Sequence, residues 1–550
     1  MVLFCTRLLF NPPALLQADD NDAQAPVIRG IIIDRGQIYP EHEAESTRLF
    51  RVLNAIHWMS REQTIRQELL FKEGDGLDVE LIAETERNLR ALSVLSVADV
   101  LVEPIQPGWV DVRIRTRDAF TRRFEASTSF VGGQAHGRLN VGERNLFGTG
   151  VSLSYVQTRW TNKEVNRIQF FEPRVFGSRK SFFARYAGGR VQSAGRDFNT
   201  VFYQFALARP FYRLDTRHSY GISYVFDDGI DTFYNGNIDK TTEVERKKVS
   251  TALIFANRWG TRFSKQTLTT SLAYHDTRYG ERFGTETRDI AVPEDTVFWS
   301  LIENLTHKKT AYFLEQDQLD ALEGVEDIEV GWSAGLSAGA GYRKKKNGHD
   351  RSPFFNGINA DALLLPSTHS LLALHAASFG RIDSGRYLAW ETEAFIHYYY
   401  QGFREQTLVA SIAFDAVYEG EDLERELILD EASGLRGYRA KAFSGNKRLR
   451  LNVEDRIFTP FEFYRVVFGF ALFADSGYVW KRGENPKLAD LRSSIGFGLR
   501  IGSLPLIKNN VIRIDFAFPL NKDDAAGFSI SVSGGQLIQL LKNAEENEEF

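Results

Sequence analysis

From Asp118 to Gln536 the chain keeps a period of two, in stretches of roughly ten residues parted by polar turns. Leu491–Ile501 shows it best. Leu491, Ile495, Phe497, Leu499 and Ile501 share one face, and Arg492, Ser494, Gly496, Gly498 and Arg500 share the other. Tyr220, Ile222, Tyr224 and Phe226 alternate with Ser219, Gly221, Ser223 and Asp227, and Phe124, Ala126, Thr128 and Phe130 with Arg123, Glu125, Ser127 and Ser129. One such stretch marks any half-buried sheet. A long unbroken series without linkers excludes a string of soluble sandwiches. It fits a closed membrane barrel, which turns apolar residues to lipid and polar ones to the lumen and needs about 9–11 residues per tilted strand.

Composition agrees where it bears on class. Lys+Arg at 67 against Asp+Glu at 72 leaves a net charge of −5, too little basic excess for a nucleic-acid-coating protein. Cys5 is the one cysteine, which excludes cysteine-zinc sites and internal disulfides. Ala362–Gly380 carries no Asp, Glu, Lys or Arg, but Pro366, Ser367 and Thr368 interrupt it. Two strands about a Pro-Ser-Thr turn are expected there rather than a membrane helix. The clusters Tyr398-Tyr399-Tyr400, Phe461/Phe463/Tyr464 and Phe170-Phe171 fall at strand ends and suit interfacial girdles.

Four segments follow from the pattern. Residues 1–26 form a signal-like or disordered N-terminus. Residues 27–118 read as a small α+β domain, Val27–Asp34 being a strand and Asp78 capping a helix on which Leu81, Thr85, Leu89 and Leu92 share a face. Residues 119–536 are the barrel, with a long loop at 418–444. Residues 537–550 are an acidic tail.

Four local patterns carry a resemblance. The 78–92 helix with its flanks looks like the end of a POTRA repeat. Gly142-Glu-Arg-Asn-Leu-Phe-Gly-Thr-Gly150 is similar to an N-L-x-G-x-G turn, Leu435-Arg436-Gly437-Tyr438 to a [V/L]-R-G-[F/Y] loop tip, and Phe473-Ala-Asp475-Ser-Gly477 to an F-x-D-x-G strand. In this order they resemble the Omp85 superfamily (the BamA/TamA and surface-antigen D15 type), and five alternating stretches follow the LRGY, as in that family. The resemblance implies a periplasmic POTRA domain followed by an all-β transmembrane barrel of sixteen antiparallel strands in the outer membrane of a bacterium or organelle. It implies protein insertion or translocation, with the client taken up by β-augmentation on the POTRA domain and passed to the barrel seam or lumen. A two-partner-type secretion pore is the alternative, and a diffusion porin, which needs no POTRA domain, a weaker one. The partners are then the lipid bilayer, unfolded polypeptide clients and periplasmic accessory proteins, with no nucleic acid.

No catalytic, metal or cofactor site is expected, because no nucleophile or phosphate-loop motif surrounds the histidines or glycines. The expected functional positions are structural. On the resemblance, the loop folds inward and carries Leu435, Arg436, Gly437 and Tyr438 into the lumen. Strand parity turns Asp475 and Glu454 inward on adjacent strands, Asp475 as first partner of Arg436 and Glu454 as second. At the seam, Phe528, Ile530 and Val532 alternate with serines before Gly534 and Gly535, a stretch that leaves closure cheap to break.

Overall fold

The structure, a computed structural model, describes residues 25–540 apart from 132–133, 161–162, 194–195, 235–240, 285–293, 347–349, 384, 420–425, 441, 509–510 and 522–526. The signal-like segment, but for Ala25 and Pro26, and the tail beyond Leu540 lie outside the described residues, as does the side chain of Phe130.

The N-terminal module opens with β1 (Val27–Gly36) and continues through α1 (Glu41–Ser46), α2 (Arg48–Ile56), α3 (Glu62–Arg66) and α4 (Val79–Ala91). It ends on β2 (Leu95–Gln106) and β3 (Trp109–Asp118). β3 lies between the other two strands, parallel to β1 and antiparallel to β2. The Asp78 side chain starts α4 by accepting from the N–H groups of Glu80 and Leu81 at 2.9 and 3.1 Å, a cap worth about 1 kcal/mol. The helix buries Ile82, Thr85 and Leu89 against Ile28, Leu95, Val112 and Ile114 of the sheet. Thr85 and Leu89 are buried as expected, Leu81 and Leu92 stay half-buried, and Ile82 and Glu84 join the buried set.

Among the described residues twenty strands then form one antiparallel sheet that closes on itself, from β4 (Arg122–Val131) and β5 (Gln134–Leu146) to the last strand, Ser529–Gly534. This corrects the expected sixteen. The five strands after the loop are present, and the excess lies before it. Narrow hairpins such as those between Trp160 and Lys163 or Ser193 and Arg196 fit more strands into that stretch than the family number allows. The Pro-Ser-Thr segment is the expected hairpin, Phe354–Ser367 against Ser370–Asp383. No helix of the described residues is long and apolar enough to cross a membrane.

Parity holds along the strands. Tyr224, Ile495 and Phe497 are exposed on the outer face, while Ser494 and Arg500 are buried on the inner one. Phe461, Phe463 and Tyr464 stand exposed at the turn after Lys447–Phe463. The tyrosine triplet departs from the girdle expectation. Tyr399 is wholly buried on the inner face, among Ile328, Val330, Leu371 and Val409, because its neighbours Tyr398 and Tyr400 take the other parity. The tail boundary also moves: residues 537–540 turn back into the barrel and bury Ile538 in that same cluster.

The module is fastened to the barrel end it faces. Arg90 pairs with Asp327 at 2.7 Å and Glu315 at 2.5 Å, and Arg262 pairs with Asp78 at 3.2 Å and with Glu80. At the junction, buried Asp118 accepts from the Ser60 N–H at 2.6 Å and lies 3.2 Å from the His57 imidazole. Burial pushes the Asp118 carboxyl up to about 7 and the His57 imidazole down to about 4. The folded protein therefore keeps a proton on Asp118 that the unfolded chain releases near pH 4, so this contribution to stability is lost as pH rises through about 7. Asp118→Asn keeps the acceptor and removes the ionisation. Its melting temperature relative to the parent should rise between pH 5 and pH 8, measured by tryptophan fluorescence; an unchanged difference would refute the buried acid.

Candidate functional site

The loop before strand Lys447–Phe463 enters the barrel as a short hairpin, Leu427–Leu429 against Phe443–Gly445. Its tip buries Leu435, Arg436 and Tyr438 to 1% exposure or less. Gly437 stands at φ 91°, a conformation costly for any residue with a Cβ, and its position opposite Pro519 lets the tip lie against the wall.

Arg436 meets both of its expected partners. Its Nε donates to Asp475 Oδ2 at 2.7 Å, Nη2 donates to Asp475 Oδ1 at 2.9 Å, and Nη1 donates to Glu454 Oε2 at 2.9 Å. The guanidinium also lies 3.4 Å over the Phe473 ring, so the F-x-D pattern supplies both a face and a carboxylate. Tyr438 donates its hydroxyl to the Ser493 carbonyl at 3.0 Å. Leu435 packs with Leu429 and Tyr438 beneath the hairpin.

Sequence reasoning missed the rest of this cluster. Arg456 Nε and Arg500 Nη2 donate to Glu454 at 3.1 and 3.3 Å, and Arg500 Nη1 donates to Asp515 at 2.7 Å. Asn452 bridges the Gly434 carbonyl at 2.7 Å and Asp475 at 2.8 Å. Arg436, Arg456 and Arg500 thus face Glu454, Asp475 and Asp515, all with side chains no more than 2% exposed. The signal was available, since Arg500 and Asp515 both have inward parity on neighbouring strands.

The N-L-x-G-x-G turn joins the module to the barrel. Asn145 Nδ2 donates to the Trp58 carbonyl and to Ser60 Oγ at 3.0 Å each, and its Oδ1 accepts from the Gly150 N–H at 2.8 Å. Gly148, at φ 76°, brings its backbone so close that a Cβ would lie 2.3 Å from the Met59 carbonyl oxygen. Its own carbonyl accepts from Arg61 N at 2.9 Å and Thr64 Oγ1 at 2.8 Å.

The seam is the third feature. The last strand meets β4 at two positions, Ile530 with Phe130 and Ser531 with Ser129. On its other side it pairs at six positions, from Ala517–Ser529 to Ile512–Gly534. Phe528 and Ile530 are exposed on the outer face, Val532 is half-buried, and Gly534-Gly535 ends the strand. The two paired positions lie at the ends of both strands remote from the module, and among the described residues β4 pairs with the last strand nowhere nearer to it. The described residues include no group of three or more His, Cys, Asp or Glu placed to hold a metal ion.

Removing one partner from a buried charge pair leaves the other uncompensated, a loss of about 3–5 kcal/mol. Arg436→Ala and Asp475→Ala should each fall in that range in urea unfolding, with the double variant well short of their sum. Arg436→Lys should not rescue, because an ammonium cannot reproduce the forked contact. Strict additivity would show that the pair is not coupled.

Residues 361–536 match the Omp85 superfamily domain. No curated protein matches the chain. Among solved structures, BamA from Haemophilus ducreyi lacking POTRA domains 1–3 aligns at 12% identity and TM-score 0.39, over 93% of this chain and 84% of that one. CdiB from Escherichia coli aligns at 12% identity and TM-score 0.43, over 93% and 76%. The ferric citrate transporter FecA, unliganded, aligns at 10% and 0.38, over 78% and 73%. The segment that holds the inward loop, both carboxylate partners of Arg436 and the closing strand is therefore an Omp85 superfamily domain.

Proposed function

We propose that the chain is an outer-membrane assembly or translocation factor for polypeptides, with residues 27–118 acting as a periplasmic POTRA-type module. The observation that carries this reading is the short seam: among the described residues the last strand pairs with β4 at two positions, both remote from the module. A strand edge is a template for another strand where its ladder ends. Here the ladder ends on the side from which a periplasmic client arrives. The exposed outer face of the barrel meets lipid, and clients reach the edge along the module.

The lumen favours assembly at the seam over free diffusion. The loop tip and residues 536–540 fill its inner wall, which a diffusion porin would leave open. A two-partner-type secretion pore stays as the second reading, since the bond between Arg436 and Asp475 is one a passenger could displace. Purified protein in liposomes, offered unfolded barrel clients and soluble passengers separately, separates the two. Faster folding of barrel clients alone supports the first, export of passengers alone supports the second, and neither activity refutes both.

Two further outcomes are expected. In a Cys5→Ser background, a disulfide between Ser129→Cys and Ser531→Cys should lower client insertion at least tenfold and release it on reduction. Undiminished insertion by the oxidised form would exclude a seam route. Tyr224→Arg, outward near mid-strand, should destabilise the protein in bilayers by about 2–4 kcal/mol. Ser223→Arg, one residue back and inward, should cost far less; the reverse order would invert the barrel's faces.

A further inference from the structure

A water-filled barrel lines its interior with polar or small side chains. Five neighbouring strands break that rule near the module end. Val330, Leu371, Tyr399 and Val409 build a continuous apolar inner wall, each 5% exposed or less, with Leu363 and Leu365 packed at its margin. Bare, such a wall would be an apolar patch in water. Leu319, from the turn between strands Thr296–Gln316 and Glu326–Lys345, covers part of it, and Ile538 covers the rest.

The segment bearing Ile538 leaves the last strand at Gly534. Gly535 sits at φ 77° and donates its N–H to the Val511 carbonyl at 2.8 Å, which turns the chain into the lumen. Three polar contacts then hold it. Arg500 Nε donates to Gln536 Oε1 at 3.2 Å, Arg456 Nη2 donates to the Ile538 carbonyl at 2.5 Å, and the Leu540 N–H donates to Asp320 Oδ2 at 2.6 Å. Two of the three address main-chain atoms, which every residue offers. What the site asks of a sequence is a main chain that bends at Leu537 and Ile538 and an aliphatic side chain at the position of Ile538, with Leu540 packed beside it. That is sequence-tolerant recognition of a polypeptide.

We infer that the inner mouth of the barrel carries a docking site for a polypeptide segment that bends across it and presents an aliphatic side chain, and that residues 536–540 occupy it as an internal stand-in. That the natural occupant is a client rests on the function proposed above; the site itself does not. Occupancy is felt at the loop, because Arg456 holds the Ile538 carbonyl with Nη2 and Glu454 with Nε, and Glu454 holds Arg436. Displacing the stand-in takes the Nη2 acceptor from one of the three guanidinium groups around Glu454, which keeps its contacts to Leu319 and Asp320.

The test uses a fluorescein-labelled octapeptide copying residues 533–540, titrated into the full chain in detergent micelles and read by anisotropy. The parent, already occupied, should bind it weakly. Ile538→Asp, which vacates the wall, should bind it at least tenfold more tightly, and Ile538→Val should behave as the parent. An octapeptide carrying the same Asp should not bind, and adding Val409→Asp to the Ile538→Asp chain should abolish the gain. Heat-modifiable electrophoretic mobility establishes that each variant holds its barrel. Equal binding by parent and Ile538→Asp, or a gain that survives Val409→Asp in a folded chain, would overturn the site. No client or bilayer enters the measurement, so the two readings fail separately. Absent peptide binding with intact client insertion refutes the docking site, and peptide binding without insertion or export upholds it while refuting the proposed function.

Discussion

The charge of Glu454 lies where no water reaches it, and three guanidinium groups share it: Arg436 at 2.9 Å, Arg456 at 3.1 Å and Arg500 at 3.3 Å. A lone buried carboxylate would neutralise itself by taking a proton, and a lone guanidinium could not enter at all. The cluster stands because Asp475 and Asp515 supply the two remaining negative charges. Buried ion groups of this kind stabilise little compared with well-packed apolar residues of equal volume. What they fix is position. Arg436 comes from the loop, Glu454 and Arg456 from strand Lys447–Phe463, and Asp475, Arg500 and Asp515 from the next three strands. One electrostatic knot thus ties the loop tip to four consecutive strands.

That knot makes the barrel uneven. The strands from Lys447 to Pro519 are crosslinked through their interior, while closure beyond them rests, among the described residues, on two residue pairs. A sheet resists opening where its ladders are long and its side chains interlock, and yields where neither holds. The serine alternation of Ser529–Gly534 leaves no large inward side chain to interlock. Rigidity on one side and a short ladder on the other localise any opening to a single line.

Much of this was legible in the sequence because period two fixes the face of every residue on a strand. Parity places Asp475, Glu454 and Arg500 on the inner faces of their strands, and the same rule turns Asp515 inward opposite Gly498. Strand number was not legible. Parity says which way a residue points, but a narrow hairpin such as that at Trp160–Lys163 adds two strands with little turn signal to mark them. Tyr399 was misread because an aromatic at a strand end serves a girdle or an inner wall equally well, and only the partners across the lumen decide. Residues 537–540 fall in the acidic tail because composition averages over the run, whereas Ile538 packs into an apolar cluster on its own.

The module's attachment bears on the seam through backbone rather than through charge. β4 begins directly after Asp118, and its first turn is held from both sides. The Phe120 N–H donates to the Pro505 carbonyl at 2.7 Å, and the Ala119 N–H donates to the Val94 carbonyl at 2.9 Å. Lys508, just before strand Ile512–Pro519, donates to the Arg90 carbonyl at 2.6 Å and to that of Leu92. The module therefore grips the approach to β4 and the approach to the strand that carries the last one. It also grips the turn after β5 through Asn145 and Gly148. A rigid body fixed to both flanks of a short ladder sets the spacing between them. A shift of the module against the barrel end must change how far the module end of β4 stands from Val532–Gly534, so the module is the element placed to set the gap.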